Sequence, residues 1–312
     1  MDVRVWAPTS NSSACSHSVA LRGRTPVHVF RDGSAVGLPA AVAAVAVGST
    51  PADAVKMALD MPGLPGGDFE RTANGAEPGT APFESWSPDV VVSGINHGPN
   101  FGTMAFYSGT VAAAREASFQ GLRSIAASLD GFRKRLPEDF EPAAAILVPL
   151  VRRMVAEPAW PRGAVLNINV PCGDEKGAEI QQSAGDSKLR SVGGKPRGLA
   201  IVPMGGSGFE AHFVRVDDSI RPPNSEDLRE SDTKSVGEGD WEGGERFVFK
   251  ARYRAKYEGA PAEDDGVALR EGYVTLAPLG LGGGGREVEE AAACLERWRR
   301  EWEHPGLPWA EL

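Results

Sequence analysis

The stretch that most constrains this chain runs from Ser87 to Ser118, SPDVVVSGINHGPNFGTMAFYSGTVAAAREAS, because it orders a strand, a glycine-rich loop and a helix start. Val90, Val91 and Val92 form a β-branched run that suits a buried parallel strand, and Ser93-Gly94 breaks it. Asn96 then falls just past the strand's carboxyl end. Gly98, Pro99, Asn100 and Gly102 cannot continue a strand, and helical character resumes only at Ser108-Gly109-Thr110. With Ser108 as N-cap, the N–H groups of Gly109, Thr110 and Val111 have no intrahelical acceptor. They point, with the positive end of the helix dipole, into the crevice above the sheet, where a phosphate fits. Every strand-to-helix unit has such a loop, and most bind nothing. This one separates Ser93 from Ser108 by roughly 15 residues dense in Gly, Asn and Ser, where an ordinary connection takes about 2–6.

The rest of the amino-terminal half alternates in the same way. Strand-like runs recur at Val3–Ala7, Ala41–Val47, Val90–Val92, Ile125–Leu129 and Val165–Val170. Helical segments fall between them at Pro51–Met61, Gly109–Gln120 and about Glu138–Ala156, the last expected to kink or end early at Pro149. The pattern predicts an α/β fold, Rossmann-like, with a mostly parallel sheet, helices on both faces, and ligands beyond the strand carboxyl ends. Thr50-Pro51-Ala52-Asp53 reads as a capping box with proline at the first helical position, so Asp53 is a helix cap. Pro8 to Ser13 is a polar loop after the first strand, and Ser13, His17 and Ser18 are its groups able to face a ligand. On the residues alone, they are ordinary loop side chains.

Gly63–Trp86 reads as a surface insertion, and Gly173 to about Gly244 as polar linker around a short strand at His212–Val216. Arg246–Tyr257 alternates apolar and basic residues and is expected to pair as a hairpin with Gly272–Leu279. Gly282–Gly285 leads into a helix at Glu287–Trp302, whose Val288, Ala291, Leu295, Trp298 and Trp302 make one apolar stripe. The domain reading is 1–206 as the α/β unit with the insertion at 63–86, 207–245 as linker, and 246–312 as a hairpin with an oligomerisation helix.

Charge and cysteine usage narrow the partners. A formal net charge of −9 argues against nucleic acid or an anionic membrane as partner, and no stretch approaches the ~20 apolar residues of a membrane span. Cys15, Cys172 and Cys294 are scattered without C-x-x-C spacing, which suggests a reducing, cytoplasmic setting. The five histidines lack metal-helix spacing. No G-x-G-x-x-G follows the first strand, and no G-x-x-x-x-G-K-[ST] occurs.

SGINHGPN followed by YSGTVAAARE resembles the signature of the SurE family (survival protein E), phosphatases that act on nucleoside monophosphates with a divalent metal. GSTPADAVKMAL, residues 48–59, and VRVWAPTSNSSACSHSVAL, residues 3–21, resemble two further segments of that family, in its order. GVALREGYVTLAPL, residues 266–279, is a fainter echo of its last strand. The resemblance implies hydrolysis of a nucleoside 5′-monophosphate. It implies Ser13 and Asn96 as ligands of Mg²⁺ or Mn²⁺, and Ser108, Gly109 and Thr110 as the phosphate seat with Asn100 lining the pocket. It also implies a homodimer or higher homo-oligomer. The family's metal is held in addition by two adjacent aspartates of an N-D-D-G motif, which this sequence lacks along with the first strand and helix around it. Impaired turnover is therefore expected, no catalytic nucleophile or base is assigned, and a noncatalytic nucleotide-binding relative is the alternative.

Overall fold

The computed structural model describes residues 3–20, 23–61, 87–130, 137–171, 196–216, 248–256, 260–281, 285–302 and 307–310. The expected insertion at 63–86 and most of the expected linker lie outside these residues.

The chain folds as α/β with mostly parallel strands, but in more than one sheet. Strands β1 (Arg4–Pro8), β2 (Val27–Phe30) and β3 (Ala43–Val47) form a sheet ordered β1-β3-β2, with β1 parallel and β2 antiparallel to β3. Val45, Val47 and Ala54 make its small core with Trp6 and Met57, beneath helix α1 (Pro51–Asp60). The second sheet is ordered β4-β5-β6-β10-β7. It comprises β4 (Val91–His97), β5 (Ser124–Leu129), β6 (Ala164–Val170), β7 (Gly198–Ile201) and β10 (Tyr273–Gly280). β4, β5 and β6 run parallel, and β10 is antiparallel to β6 and parallel to β7.

Strands β5 and β6 are buried at every position and, apart from Asn167 and Asn169, read as runs of apolar or small residues, as strands covered on both faces do. Leu166, Ile168 and Val170 share one face with Ile125, Ala127 and Leu129. They pack on helices α4 (Glu141–Ala156) and α6 (Arg286–Arg300). Val165 and Ala126, on the other face, meet α2 (Met104–Tyr107) and α3 (Gly109–Phe119) through Ala105, Val111 and Ala114. Helix α5 (Asp265–Arg270) covers Ala200 and Ala277. Helix α3 also packs against α1 and so splices the two sheets.

Several expectations are corrected. The Val90–Val92 run is not a fully covered strand: β4 is an edge paired to β5, and Val92 is 41% exposed. Helix α4 does not end early at Pro149 but continues to Ala156, because Ala143, Leu147, Leu150 and Met154 anchor it to the sheet on both sides of the lost N–H. Gly272–Leu279 does not pair with Arg246–Tyr257. β10 enters the main sheet beside β6, while β9 (Val248–Lys256) pairs with β8 (Gly208–Val216), inside the expected linker. β2 was not foreseen.

The apolar stripe of the last helix does not face away from the fold. Ala291, Leu295 and Trp298 are buried in the main core, so α6 packs on its own sheet and is no free oligomerisation helix. Glu157 fixes it there, accepting from Trp298 Nε1 at 2.9 Å and from Arg297 Nη2 at 2.9 Å. Burial alone would push this carboxyl up, but the bonds from Trp298, the Ala159 N–H and Arg297 outweigh it and hold it below its ordinary value. Replacing Trp298 by Ala should remove about 3–5 kcal/mol of stability, read from the shift in the urea unfolding midpoint.

Candidate functional site

Three segments meet at the start of α3. Ser108 is the N-cap and is buried, and its hydroxyl accepts from the Val111 N–H at 3.1 Å. The N–H groups of Gly109 and Thr110 come earlier in the turn than any intrahelical acceptor. Gly109 is required here by close approach: a Cβ would lie 2.9 Å from Pro51 Cγ, 3.0 Å from Cys15 Sγ and 3.3 Å from the Ser12 carbonyl. The loop after β1 and the start of α1 are thereby pressed onto the α3 amino terminus. The Ser16 N–H donates to the Tyr107 carbonyl at 2.9 Å and its hydroxyl to the Phe106 carbonyl at 2.7 Å.

Helices α1 and α3 therefore begin side by side, but their first turns differ. α1 carries Asp53, which closes the expected capping box with Thr50. Asp53 also accepts from the Ala20 N–H at 3.0 and 3.2 Å and from the Ser49 hydroxyl, while the Thr50 hydroxyl donates to the Ser18 carbonyl at 2.7 Å. The carboxylate occupies the positive end of α1 and ties down the far end of the β1–β2 loop. α3 has no acidic residue in its first turn, so no carboxylate of its own offsets the positive end of its dipole.

Asn96 sits at the end of β4, where the pairing with β5 shifts register between Ser93 and Asn96. Such a shift re-aims the side chains that follow it. Its amide donates to the Gly98 carbonyl at 2.7 Å, leaving a neutral carbonyl oxygen as what it can offer a ligand. Ser13 is exposed, in a turn in which its N–H donates to Asn11 Oδ1 at 3.0 Å. The loops that follow β1 and β4 thus both reach the start of α3, the first through Ser16 and Cys15 and the second by leading into α2.

Asn100 does not stand at the surface of this crevice. It is 5% exposed, and its side-chain amide donates to Ser128 Oγ at 2.7 Å. Its N–H donates to Asn169 Oδ1 at 2.7 Å, and its carbonyl accepts from Asn167 Nδ2 at 2.7 Å. All three partners are wholly buried, on the α3 face of β5 and β6. Asn167 and Asn169, two residues apart in a strand without solvent, are the residues that sequence reasoning passed over. The readable signal was that spacing, which puts both amides on one buried face where each must find a partner. His17 pairs with Glu116 at 3.1 Å and stacks on Phe119, at the far end of α3 from Ser108.

The donors present do not fit a divalent cation. Ser13 and Asn96 are neutral, whereas Mg²⁺ and Mn²⁺ take carboxylate oxygens. Among the described residues, no group of three or more His, Cys, Asp or Glu side chains could hold a metal ion. Among them, too, no helix is long and apolar enough to cross a membrane.

Residues 1–68 and 72–190 match the family described as survival protein SurE. The chain is 31% identical over 277 residues to the 5′-nucleotidase SurE of Desulfatibacillum aliphaticivorans, covering 89% of this chain and 81% of that one. It is 36% identical over 209 residues to the 5′-nucleotidase SurE of Anaeromyxobacter dehalogenans strain 2CP-1, covering 66% of this chain and 69% of that one. Among solved structures, the SurE protein from Aquifex aeolicus superposes with a TM-score of 0.53 at 23% identity, over 93% of this chain and 87% of that one. That likeness is one of fold.

Two outcomes test the site's framework. Burial pushes the Asp53 carboxyl up, but the bonds from Ser49, Ala20 and Thr50 win and hold it below its ordinary value. Its contribution is present above the unfolded-state pKa and is lost as pH falls through the lower folded one. Asp53→Asn should cost about 1.5–3 kcal/mol at pH 7, with the difference from wild type shrinking in acid melts. Asn100→Ala, which removes the side-chain amide bond to the buried Ser128 hydroxyl and keeps the backbone bonds to Asn167 and Asn169, should cost about 1–3 kcal/mol in urea unfolding.

Proposed function

The chain belongs to the survival protein SurE family, and on that footing we propose that it is a phosphoric monoester hydrolase that removes phosphate from nucleoside 5′-monophosphates. The observation that carries this reading is the seating of the Ser12–Cys15 loop on the acid-free amino terminus of α3. There the N–H groups of Gly109 and Thr110 and the Thr110 hydroxyl receive the phosphate oxygens. Ser108 holds the first turn in shape, and Asn100 acts from beneath, keeping the loop against the sheet. Water adds to phosphorus, the ester P–O bond breaks, and the departing alkoxide takes up the proton that the water gives off.

Phosphoryl transfer needs charge neutralised on the transferring group, and a divalent cation commonly supplies this. In the proposed site Ser13 and Asn96 face that task with neutral oxygens, so no step is routed through an ion. The chain is further proposed to self-associate through the β8–β9 arm. Among the described strands these two pair with each other, and a two-stranded ribbon alone is marginal in water. The free thiols Cys15 and Cys294 support a cytoplasmic setting.

Phosphate release from AMP, measured with and without Mn²⁺, should be slow, below the ordinary enzyme range of about 1–10³ s⁻¹, and only weakly raised by the ion. Asn96→Ala should lower what remains at least tenfold. Rapid Mn²⁺-dependent turnover would overturn the neutral-donor account, and release insensitive to Asn96→Ala would remove this loop from the chemistry.

A further inference from the structure

Two consecutive carboxylates that the phosphate site does not use, Asp264 and Asp265, are 1% and 0% exposed. Asp264 is the N-cap of α5, accepting from the Gly266 N–H at 2.9 Å and the Val267 N–H at 3.3 Å. It also accepts from the Ser207 N–H at 3.1 Å and from the Ser207 hydroxyl. Asp265 turns the other way. Its two oxygens accept from the Gly102 N–H at 3.1 and 3.0 Å, and Oδ1 also accepts from the N–H groups of Gly205 and Gly266 at 3.0 Å.

The backbone around them is packed too closely for side chains. A Cβ on Gly102, where φ is +47°, would strike the Ser207 carbonyl. One on Gly205 would strike the Asp264 carboxylate, one on Gly208 the Thr103 hydroxyl, and one on Gly266 the Phe101 ring at 2.6 Å. The Thr103 N–H donates to the Ser207 carbonyl at 3.0 Å. Residues 101–103, at the foot of the phosphate loop, are thus sewn to residues 205–208, from which the β8–β9 arm leaves.

Burying a carboxylate is costly, so its retention needs a reason that a neutral residue cannot meet. Three N–H groups from three separate segments converge on Asp265. An amide in its place would turn an N–H toward the Gly102 N–H, while a carboxylate presents acceptors only. Burial pushes this carboxyl up to about 6, with Asp264 adding to the rise against the lowering by the N–H bonds.

We propose that Asp265 is a positioning residue for the phosphate-binding loop. It fixes Gly102 against the root of the β8–β9 arm, so that the sheet holds the loop at Asn100 and the arm's root holds it at Gly102. The short helix α2 then delivers Ser108 and the α3 amino terminus in one orientation. This rests on reading that terminus as the phosphate seat.

The test compares the wild-type chain with Asp265→Asn and with Ser207→Ala, which loses a hydroxyl bond to Asp264 but leaves the Gly102 clamp. Amide hydrogen exchange over residues 98–108 and AMP affinity by calorimetry are read well below the melting temperature. Asp265→Asn should exchange at least tenfold faster over residues 100–104 and bind AMP about tenfold more weakly. Ser207→Ala should stay within twofold of wild type in both, whatever its melting temperature. Unchanged exchange in Asp265→Asn overturns the clamp, and faster exchange with unchanged AMP affinity overturns the positioning role. If the wild-type chain binds no AMP, the phosphate reading fails while exchange still decides the clamp. Should Asp265→Asn not fold, the wild-type Gly102 amide decides by itself: slow exchange in NMR supports the clamp, and exchange at the unfolded-chain rate overturns it.

Discussion

The polar row buried on one face of the main sheet governs the geometry of everything above it. Asn167 and Asn169 on β6 and Ser128 on β5 lie where no water reaches, so their hydrogen-bonding groups must be met from within the protein. The loop after β4 meets one group of each: Asn100 donates its N–H to Asn169 Oδ1 and its side-chain amide to Ser128 Oγ, and its carbonyl accepts from Asn167 Nδ2, while Asn167 Oδ1 and Asn169 Nδ2 are left without a hydrogen-bond partner among the described residues. A loop held in this way cannot slide along the sheet without stranding several buried polar groups at once. Its path then sets where α2 starts, and α2 sets where Ser108 caps α3. The proposed phosphate seat consists of backbone N–H groups with little adaptability of their own, and its precision is borrowed from strands β5 and β6.

Helix α3 has a second task, which explains why its first half is so rich in Gly and Ala. It faces the five-stranded sheet through Val111 and Ala114, and it also packs against α1 of the three-stranded sheet. Small residues allow both approaches at once. β1 and β4 are each an edge of their sheet, opposite β2 and β7, and both carry half-exposed side chains. The two sheets meet through helices and through the Ser12–Ser16 loop, with no strand pairing between β1 and β4. The crevice proposed to hold substrate is bounded by the loops that follow those two edges.

Elements whose signals are local were legible in the sequence. The cap at Ser108 and the capping box of Thr50 and Asp53 stand where residue type and spacing put them, because a cap is satisfied within three residues of itself. Strands β1, β3, β5 and β6 likewise match their apolar runs to within a residue or two. What went unread depends on distant partners. Nothing in RFVFKARYRAKY states that its mate is Gly208–Val216 rather than Gly272–Leu279, since both candidates alternate suitably and pairing is decided by the whole fold. The stripe of α6 looked exposed because its cover, Trp160 and the Glu157 carboxylate, comes from far upstream in sequence. Asp264-Asp265 carries no local signal of burial, which follows from glycines at 102, 205 and 208 that only the folded chain brings together.

The distribution of buried carboxylates bears on how the site can work. Asp53, Glu157, Asp264 and Asp265 are each tied to backbone or side-chain N–H groups that hold structural elements together, and Glu116 is paired with His17. In an acidic chain of net charge −9, this arrangement commits those acids to the frame and leaves the α3 terminus without one in its first turn. In the proposed site a dianionic phosphate is met by dipoles and neutral oxygens, which favour binding at a helix terminus but supply only partial charges. The same neutrality that admits the anion withholds what a cation would need. Binding and turnover are then separable properties of this site: the first follows from the loop and helix geometry, and the second is limited by how much charge the transferring group can shed onto neutral donors.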